Sequence, residues 1–260
     1  MRVKRSDLRF FGIAKIGSEQ FISNFFFNVH QLIIFTKSTH NQFPGMLFAL
    51  DKELTFPPVH LAEPDGLLAI GGDLSIERLL LAYRNGIFPW YEGQHILWWC
   101  PDPRFVLVPS ELKISKSMAQ LIKRQTFQFT IDHAFTEVIN NCKTISRRGQ
   151  KGTWITEDIK EAYTRLHQAG YAHSAEVWQD NKLVGGLYGV RLGKMFFGES
   201  MFSKVSNASK YAFISYVEHL KTEDVQLIDC QVYTEHLESL GACMMSRQIF
   251  TQRLKQLVPA

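Results

Sequence analysis

The chain has 260 residues, 45% of them hydrophobic and 13% aromatic, which suffices for one large domain or two small ones and excludes a disordered chain. Its formal charge of +4 is a mild basic excess that permits a nucleic-acid partner without demanding one. Four cysteines, Cys100, Cys142, Cys230 and Cys243, form no CxxC pair and no zinc-like spacing with histidine, so they read as free thiols of a reducing cytosol.

Residues 1–45 are Phe-rich, basic and without clear periodicity. Their most apolar stretch, Phe21 to Phe35, is interrupted by Ser23, Asn24, Asn28, His30 and Gln31, so no membrane span is expected. Met46 opens a stretch that reads continuously into ordered sequence, and residues 1–45 read as an extension ahead of the natural start; a targeting segment and a helical appendage are the alternatives. Residues 46–110 are expected to form a small mixed N-terminal domain. Its one clear helix runs from Ser75 as N-cap through Leu79, Leu80 and Tyr83 to Gly86 as C-cap, and the rest is loop and short strand. Gly71-Gly72 lacks the Lys-Ser/Thr of a P-loop and reads as turn chemistry. Trp90, Trp98 and Trp99 read either as core or as platforms on which a base stacks.

Residues 111–260 are expected to form the larger domain. It opens with a basic stretch in which Lys113, Lys116, Lys123, Arg124, Lys143, Arg147, Arg148 and Lys151 face only Asp132 and Glu137, either a solvated surface or a face for phosphates. A helix follows, capped by Thr156 with Glu157 and Asp158 in its first turn and ended by Gly170. Ala172 to Trp178, Leu183 to Val190 and Lys194 to Phe202 predict three antiparallel strands, turning at Asp180-Asn181 and Leu192-Gly193. Next come a helix over about Ala208 to Leu220, a strand from Gln226 to Val232, a short helix ending near Gly241 and a last helix from Arg247. The fold class is α+β, and this order resembles the GNAT-type acyltransferase core, with a mostly antiparallel sheet flanked by helices. The glycine-rich loop that would hold the pyrophosphate of coenzyme A is missing after Phe202, which argues against that donor.

Two of these strands carry polar groups that a sheet does not favour: Glu199 between Phe196 and Phe202, and Asp229 and Gln231 between Leu227 and Val232. Alternation places Asp229 and Gln231 on one face and Ile228, Cys230 and Val232 on the other. A buried ionised carboxylate must be paired, solvated or facing a ligand, so the polar face is either an internal network or a site of chemistry.

With these segments in place, the chain from about Phe56 to its last helix resembles the leucyl/phenylalanyl-tRNA-protein transferases. The resemblance is carried by Glu63-Pro-Asp-Gly-Leu-Leu-Ala-Ile-Gly-Gly-Asp-Leu74, Gly86-Ile-Phe-Pro-Trp90, Trp98-Trp-Cys-Pro-Asp-Pro-Arg104, Gly152-Thr-Trp-Ile-Thr156, Phe197-Gly-Glu-Ser-Met-Phe-Ser203 and Asp229-Cys-Gln-Val232. Asn207-Ala-Ser-Lys210 and His236-Leu-Glu-Ser-Leu-Gly-Ala242 also match. Residues 1–45 have no counterpart in the family.

The resemblance implies transfer of leucine or phenylalanine, and also methionine, from aminoacyl-tRNA to the α-amino group of proteins beginning with Arg or Lys, marking them for degradation in the cytoplasm. The donor ester is already activated, so neither cofactor nor metal is implied. Catalytic roles fall on Asp229, Gln231 and Glu199: Gln231 accepts from the attacking amine, Asp229 orients the Gln231 amide, and Glu199 meets the cationic acceptor terminus. Leu187, Phe196, Met201 and Ile228 would line the aminoacyl side-chain pocket, Ile228 from behind because it lies opposite Asp229. Trp90 and Trp154 would contact the terminal adenosine, and Lys113, Lys116, Lys123, Arg124, Arg147, Arg148 and Lys151 the acceptor stem. The rival readings are a GNAT-like protein N-acetyltransferase and a non-catalytic tRNA-binding module. A cysteine hydrolase built on Cys230 and His236 is weaker, because Cys230 points away from the polar face and no oxyanion motif is visible.

Overall fold

The computed structural model describes residues 47–145 and 153–259. The expected extension over residues 1–45 lies outside the described residues, as do Arg147, Arg148 and Lys151 of the basic stretch. Strands Phe48–Leu50 (β1), Leu67–Gly71 (β2), Phe88–Pro89 (β3) and Leu97–Trp99 (β4) form a small sheet in the order β1-β2-β4-β3. Its helix, Ile76–Arg84 (α1), starts where Ser75 accepts from the Arg78 N–H, as the N-cap pattern requires.

The larger sheet contains Arg104–Leu107 (β5), Gln128–Ile131 (β6), Ala172–Gln179 (β7), Lys182–Leu192 (β8), Met195–Ser203 (β9), Leu227–Gln231 (β10) and Cys243–Met245 (β11). Their order is β11-β5-β10-β9-β8-β7-β6, and every neighbouring pair is antiparallel except β10 with β9. Helices Lys116–Lys123 (α2), Phe135–Thr144 (α3), Glu157–Gln168 (α4), Ala208–Thr222 (α5), Glu235–Glu238 (α6) and Arg247–Leu257 (α7) flank it. The expected order of helix, three antiparallel strands, helix, strand and helix is present. The β7–β8 hairpin turns through Asp180 and Asn181, both left-handed with φ of 51° and 58°, the primed turn that matches strand twist. The edge strand β11 has three residues and gives too short a pattern to be read from sequence.

Register decides which side chains share a face, because directly paired residues point the same way. Leu187 pairs with Met201, Arg191 with Phe196, and Phe196 with Ile228, so Leu187, Met201, Phe196 and Ile228 all lie on one face. Plain alternation would have separated Phe196 from Met201. A bulge in the β8–β9 pairing leaves Glu199 unpaired and shifts the phase by one residue. This apolar face packs into a core with Met118 of α2 and Tyr211, Ala212 and Val217 of α5. The other face carries Phe197, Tyr188 and Asp229 and is covered by α1, α3 and α4, with Tyr83 against Phe197, Phe135 against Tyr188 and Tyr163 against Tyr188.

Two glycines mark where the faces are tightest and loosest. A Cβ on Gly189 would lie 2.2 Å from the Phe197 carbonyl oxygen and 2.4 Å from Cζ of Phe196, whereas on Gly198 its nearest neighbour would be the Asp229 oxygen at 3.6 Å. Gly189→Ala is therefore expected to cost about 1–3 kcal/mol through overpacking, and Gly198→Ala less than about 1 kcal/mol. Urea unfolding of the two variants checks the contrast.

Candidate active site

The polar residues meet where two strands part. β9 and β10 run side by side only from Met195 and Leu227 to Phe197 and Asp229. Beyond that point β9 continues along β8 and β10 along β5, leaving Glu199 and Gln231 on strands that no longer pair with each other. The Gln231 side-chain N–H donates across the gap to Oε1 of Glu199 at 3.0 Å. The amide oxygen of Gln231 is thereby turned away from Glu199.

Asp229 lies at the end of the β9–β10 pairing, opposite Phe197, and is fully buried. Arg104 grips it with both arms, Nε to Oδ1 at 2.8 Å and Nη2 to Oδ2 at 2.6 Å. The guanidinium lies 4.7 Å from the ring centres of both Phe88 of β3 and Phe250 of α7. Burial works against the Arg104 charge, but the Asp229 carboxylate outweighs it and holds the group above its ordinary range. Asp229 Oδ1 also accepts the backbone N–H of Gln231 at 2.9 Å. That bond spans a bulge in the β10–β5 pairing and accompanies a left-handed φ of 62° at Gln231, where the strand ends. Asp229 thus acts on the Gln231 backbone, and Glu199 holds the Gln231 amide. The resemblance gave the Gln231 amide to Asp229, and alternation put both side chains on one face; the bulge pairs Asp229 with Val106 and Gln231 with Phe105, so alternation breaks between them and the amide bonds to Glu199 instead.

Glu199 has no basic partner among its hydrogen bonds. Its Oε1 accepts from the Tyr83 hydroxyl at 2.7 Å as well as from Gln231, and its Oε2 accepts from the Tyr163 hydroxyl at 3.0 Å. The two hydroxyls also lie within hydrogen-bonding distance of each other, so while Glu199 is ionised two phenolic protons serve three contacts, and a proton on Glu199 supplies the third. Burial raises the Glu199 carboxyl most, the tyrosine and Gln231 bonds oppose it and the nearby Asp229 charge adds to it, and together they leave it at about 7. Burial in turn raises Tyr83 and Tyr163 well above the usual tyrosine range, so both remain donors at neutral pH.

The structure brings Asp229, Gln231 and Glu199 together, and gathers Leu187, Phe196, Ile228 and the half-buried Met201 on the opposite face. Ile228 is therefore no outlier among the apolar four; all lie behind the sheet from Asp229 and reach the polar groups only where the strands part. Phe196 packs edge-on to Tyr216, ring centres 5.1 Å apart. Trp90 is half-buried at the end of β3, 5.9 Å from the Trp99 ring, and Trp154 is buried ahead of α4. Trp98 is core, with its Nε1 donating to the Gly71 carbonyl at 2.8 Å. Lys113, Lys116, Lys123 and Arg124 are exposed on and beside α2, whereas Lys143 pairs with Glu157. Cys230 is buried at the bulge, where burial pushes its thiol up and suppresses a nucleophilic thiolate.

Sequence reasoning missed Tyr83, Tyr163 and Arg104. The two tyrosines sit on buried helix faces and read as core. Arg104 carries a signal in hindsight, since it heads the apolar run Phe105-Val106-Leu107 and an arginine there needs a buried partner.

Comparison with known proteins supplies the family context. Residues 106–255 match the family described as leucyl/phenylalanyl-tRNA protein transferase, and residues 72–102 match the N-terminal domain of the same family. A leucyl/phenylalanyl-tRNA--protein transferase of Syntrophus aciditrophicus is 60% identical over 185 residues, covering 71% of this chain and 77% of that protein. Its counterpart in Flavobacterium johnsoniae is 58% identical over 188 residues, covering 72% and 89%. Among solved structures, L-PGS from Bacillus licheniformis aligns with a TM-score of 0.36 at 12% identity, covering 72% of this chain and 65% of that one.

A titration follows from the Glu199 environment. Its folded value of about 7 exceeds its ordinary 4.5, so the folded state holds the extra proton between them. The stability that protonated Glu199 contributes is full below pH 4.5 and is lost as pH rises through about 7. Urea unfolding as a function of pH is expected to show wild type losing stability relative to Glu199→Gln over that window.

Proposed function

This chain belongs to the leucyl/phenylalanyl-tRNA protein transferase family, and from that premise we propose that it moves leucine, phenylalanine or methionine from aminoacyl-tRNA to the α-amino group of proteins beginning with Arg or Lys. It is an aminoacyltransferase; the donor residues, the acceptor termini, the marking of acceptors for degradation and the cytoplasmic setting are our reading. No helix among the described residues is long and apolar enough to cross a membrane.

One observation carries the reading: Gln231 and Glu199 are hydrogen-bonded where the pairing of β9 with β10 has ended, and Leu187, Phe196 and Ile228 lie on the apolar face of the same sheet. An aminoacyl group entering between β9 and β10 would put its side chain toward Leu187, Phe196, Met201 and Ile228 and leave its ester carbonyl beside the polar pair. The neutral acceptor amine attacks the carbonyl carbon, the bond to the ribose oxygen breaks, and one amine proton finishes on that leaving oxygen. Gln231 Nε2 is committed to Glu199, so its amide oxygen is the acceptor that orients the amine. Glu199, near pH 7, suits transient proton uptake, and its partial negative charge favours a cationic terminus. Its oxygens already accept three hydrogen bonds, so an acceptor guanidinium would have to displace a tyrosine to bind it with both arms. A shape-only pocket gains about 1–3 kcal/mol per methylene, so rejection of Ile and Val should be incomplete. Trp90 and Trp154 are assigned to the terminal adenosine and the exposed cations around α2 to the acceptor stem.

Incubating radiolabelled leucyl-tRNA with peptides beginning with Arg, Lys or Ala tests the reading. Label should pass to the Arg and Lys peptides and not to the Ala peptide, and Asp229→Ala should abolish transfer while tRNA still binds. Undiminished transfer by Asp229→Ala would favour a binding role for this face, and consumption of acetyl-CoA instead would favour an acetyltransferase. Transfer should also weaken with salt, and removing Lys116 and Lys123 together should reduce the log–log salt slope of tRNA binding by about 1 to 2. An unchanged slope removes these residues from the tRNA face.

A further inference from the structure

We infer that Arg104 is a positioning residue of the transfer site, acting through Asp229 on the backbone of Gln231. This role rests on the assignment of Asp229 and Gln231 to transfer, and it names what holds them in place. Arg104 is 1% exposed and touches no reacting atom. Both its bonds end on Asp229, at 2.8 and 2.6 Å, and the ring centres of Phe88 and Phe250 each lie 4.7 Å from its guanidinium carbon. The clamp therefore ties the small sheet, β5, β10 and the last helix to one carboxylate.

The chain of dependence is short. Asp229 Oδ1, already bound to Arg104 Nε, is also the acceptor for the Gln231 N–H. That bond closes the bulge and fixes the left-handed turn that carries the Gln231 amide across to Glu199. Without Arg104, Asp229 is a carboxylate buried without a cation, and such a group takes up a proton. Protonation weakens its grip on the Gln231 N–H, and the amide loses its fixed direction. A lysine would return the charge as a point without the planar fork, so it would hold one carboxylate oxygen and not both.

Steady-state transfer from leucyl-tRNA to an Arg peptide, followed from about pH 6 to about pH 9, separates this role from a merely structural one. Arg104→Lys should retain tRNA binding and the KM for leucyl-tRNA while kcat falls by about 10- to 100-fold. In Arg104→Met the ratio of variant to wild-type kcat should climb with pH as Asp229 ionises again, and adding Asp229→Asn should remove the climb. A wild-type kcat in Arg104→Lys overturns the inference. So does a flat ratio in a folded Arg104→Met, which would mark a purely structural arginine; if Arg104→Met does not fold, Arg104→Lys decides alone. Full activity in Asp229→Asn is a different failure, because it removes the assignment of Asp229 and this role with it.

Discussion

A carboxylate in the middle of an apolar sheet has to be neutralised by something equally buried, and here Arg104 meets Asp229 with a planar, two-armed bond. Neither group has access to water, so each depends on the other for its charge. The rings of Phe88 and Phe250 complete the enclosure. Because those rings come from the small sheet and the last helix, one ion pair gathers segments far apart in the chain. The bulge at Cys230 and the left-handed Gln231 are the local backbone consequences.

The second carboxylate is handled differently, and the difference suits two roles. Asp229 has a full counter-charge and serves as a fixed anion under the backbone. Glu199 has only neutral donors, two tyrosines and an amide, so its charge is held less firmly and its proton is exchangeable near neutral pH. Two acids hydrogen-bonded to the same glutamine, Asp229 at its backbone N–H and Glu199 at its side-chain amide, thus divide into one with a full counter-charge and one with neutral donors alone. Environment makes the distinction, since the side chains differ by one methylene.

The sheet itself separates the polar groups from the apolar ones. One face holds the polar groups under α1 and α4, and the other holds the apolar side chains against α5. They communicate only where the parallel pair β9–β10 ends and the strands take different partners. The unpaired Glu199 contributes twice, as the partner of the Gln231 amide and as the bulge that lets Phe196 and Met201 share a face.

Much of this was legible in the chain. Caps at Ser75 and Thr156, the Asp180-Asn181 turn and the apolar runs set the helices and the three-stranded meander, because those signals act over a few residues. Glu199, Asp229 and Gln231 stood out for the same local reason, as polar groups in strands too apolar to welcome them. Their partners were not legible. Arg104 lies 125 residues from Asp229, and Tyr83 lies 116 residues from Glu199, so nothing in either neighbourhood announces the other. Strand alternation also assumed an unbroken ladder, and two bulges shifted its phase, breaking the shared face expected of Asp229 and Gln231 and bringing Met201 to the face of Phe196. The sequence by itself determined the elements and the polar residues that required an explanation, since propensity and burial cost are properties of short segments. Only the tertiary structure decided which groups neutralise them and which face each side chain takes, since both depend on register between strands remote in the chain.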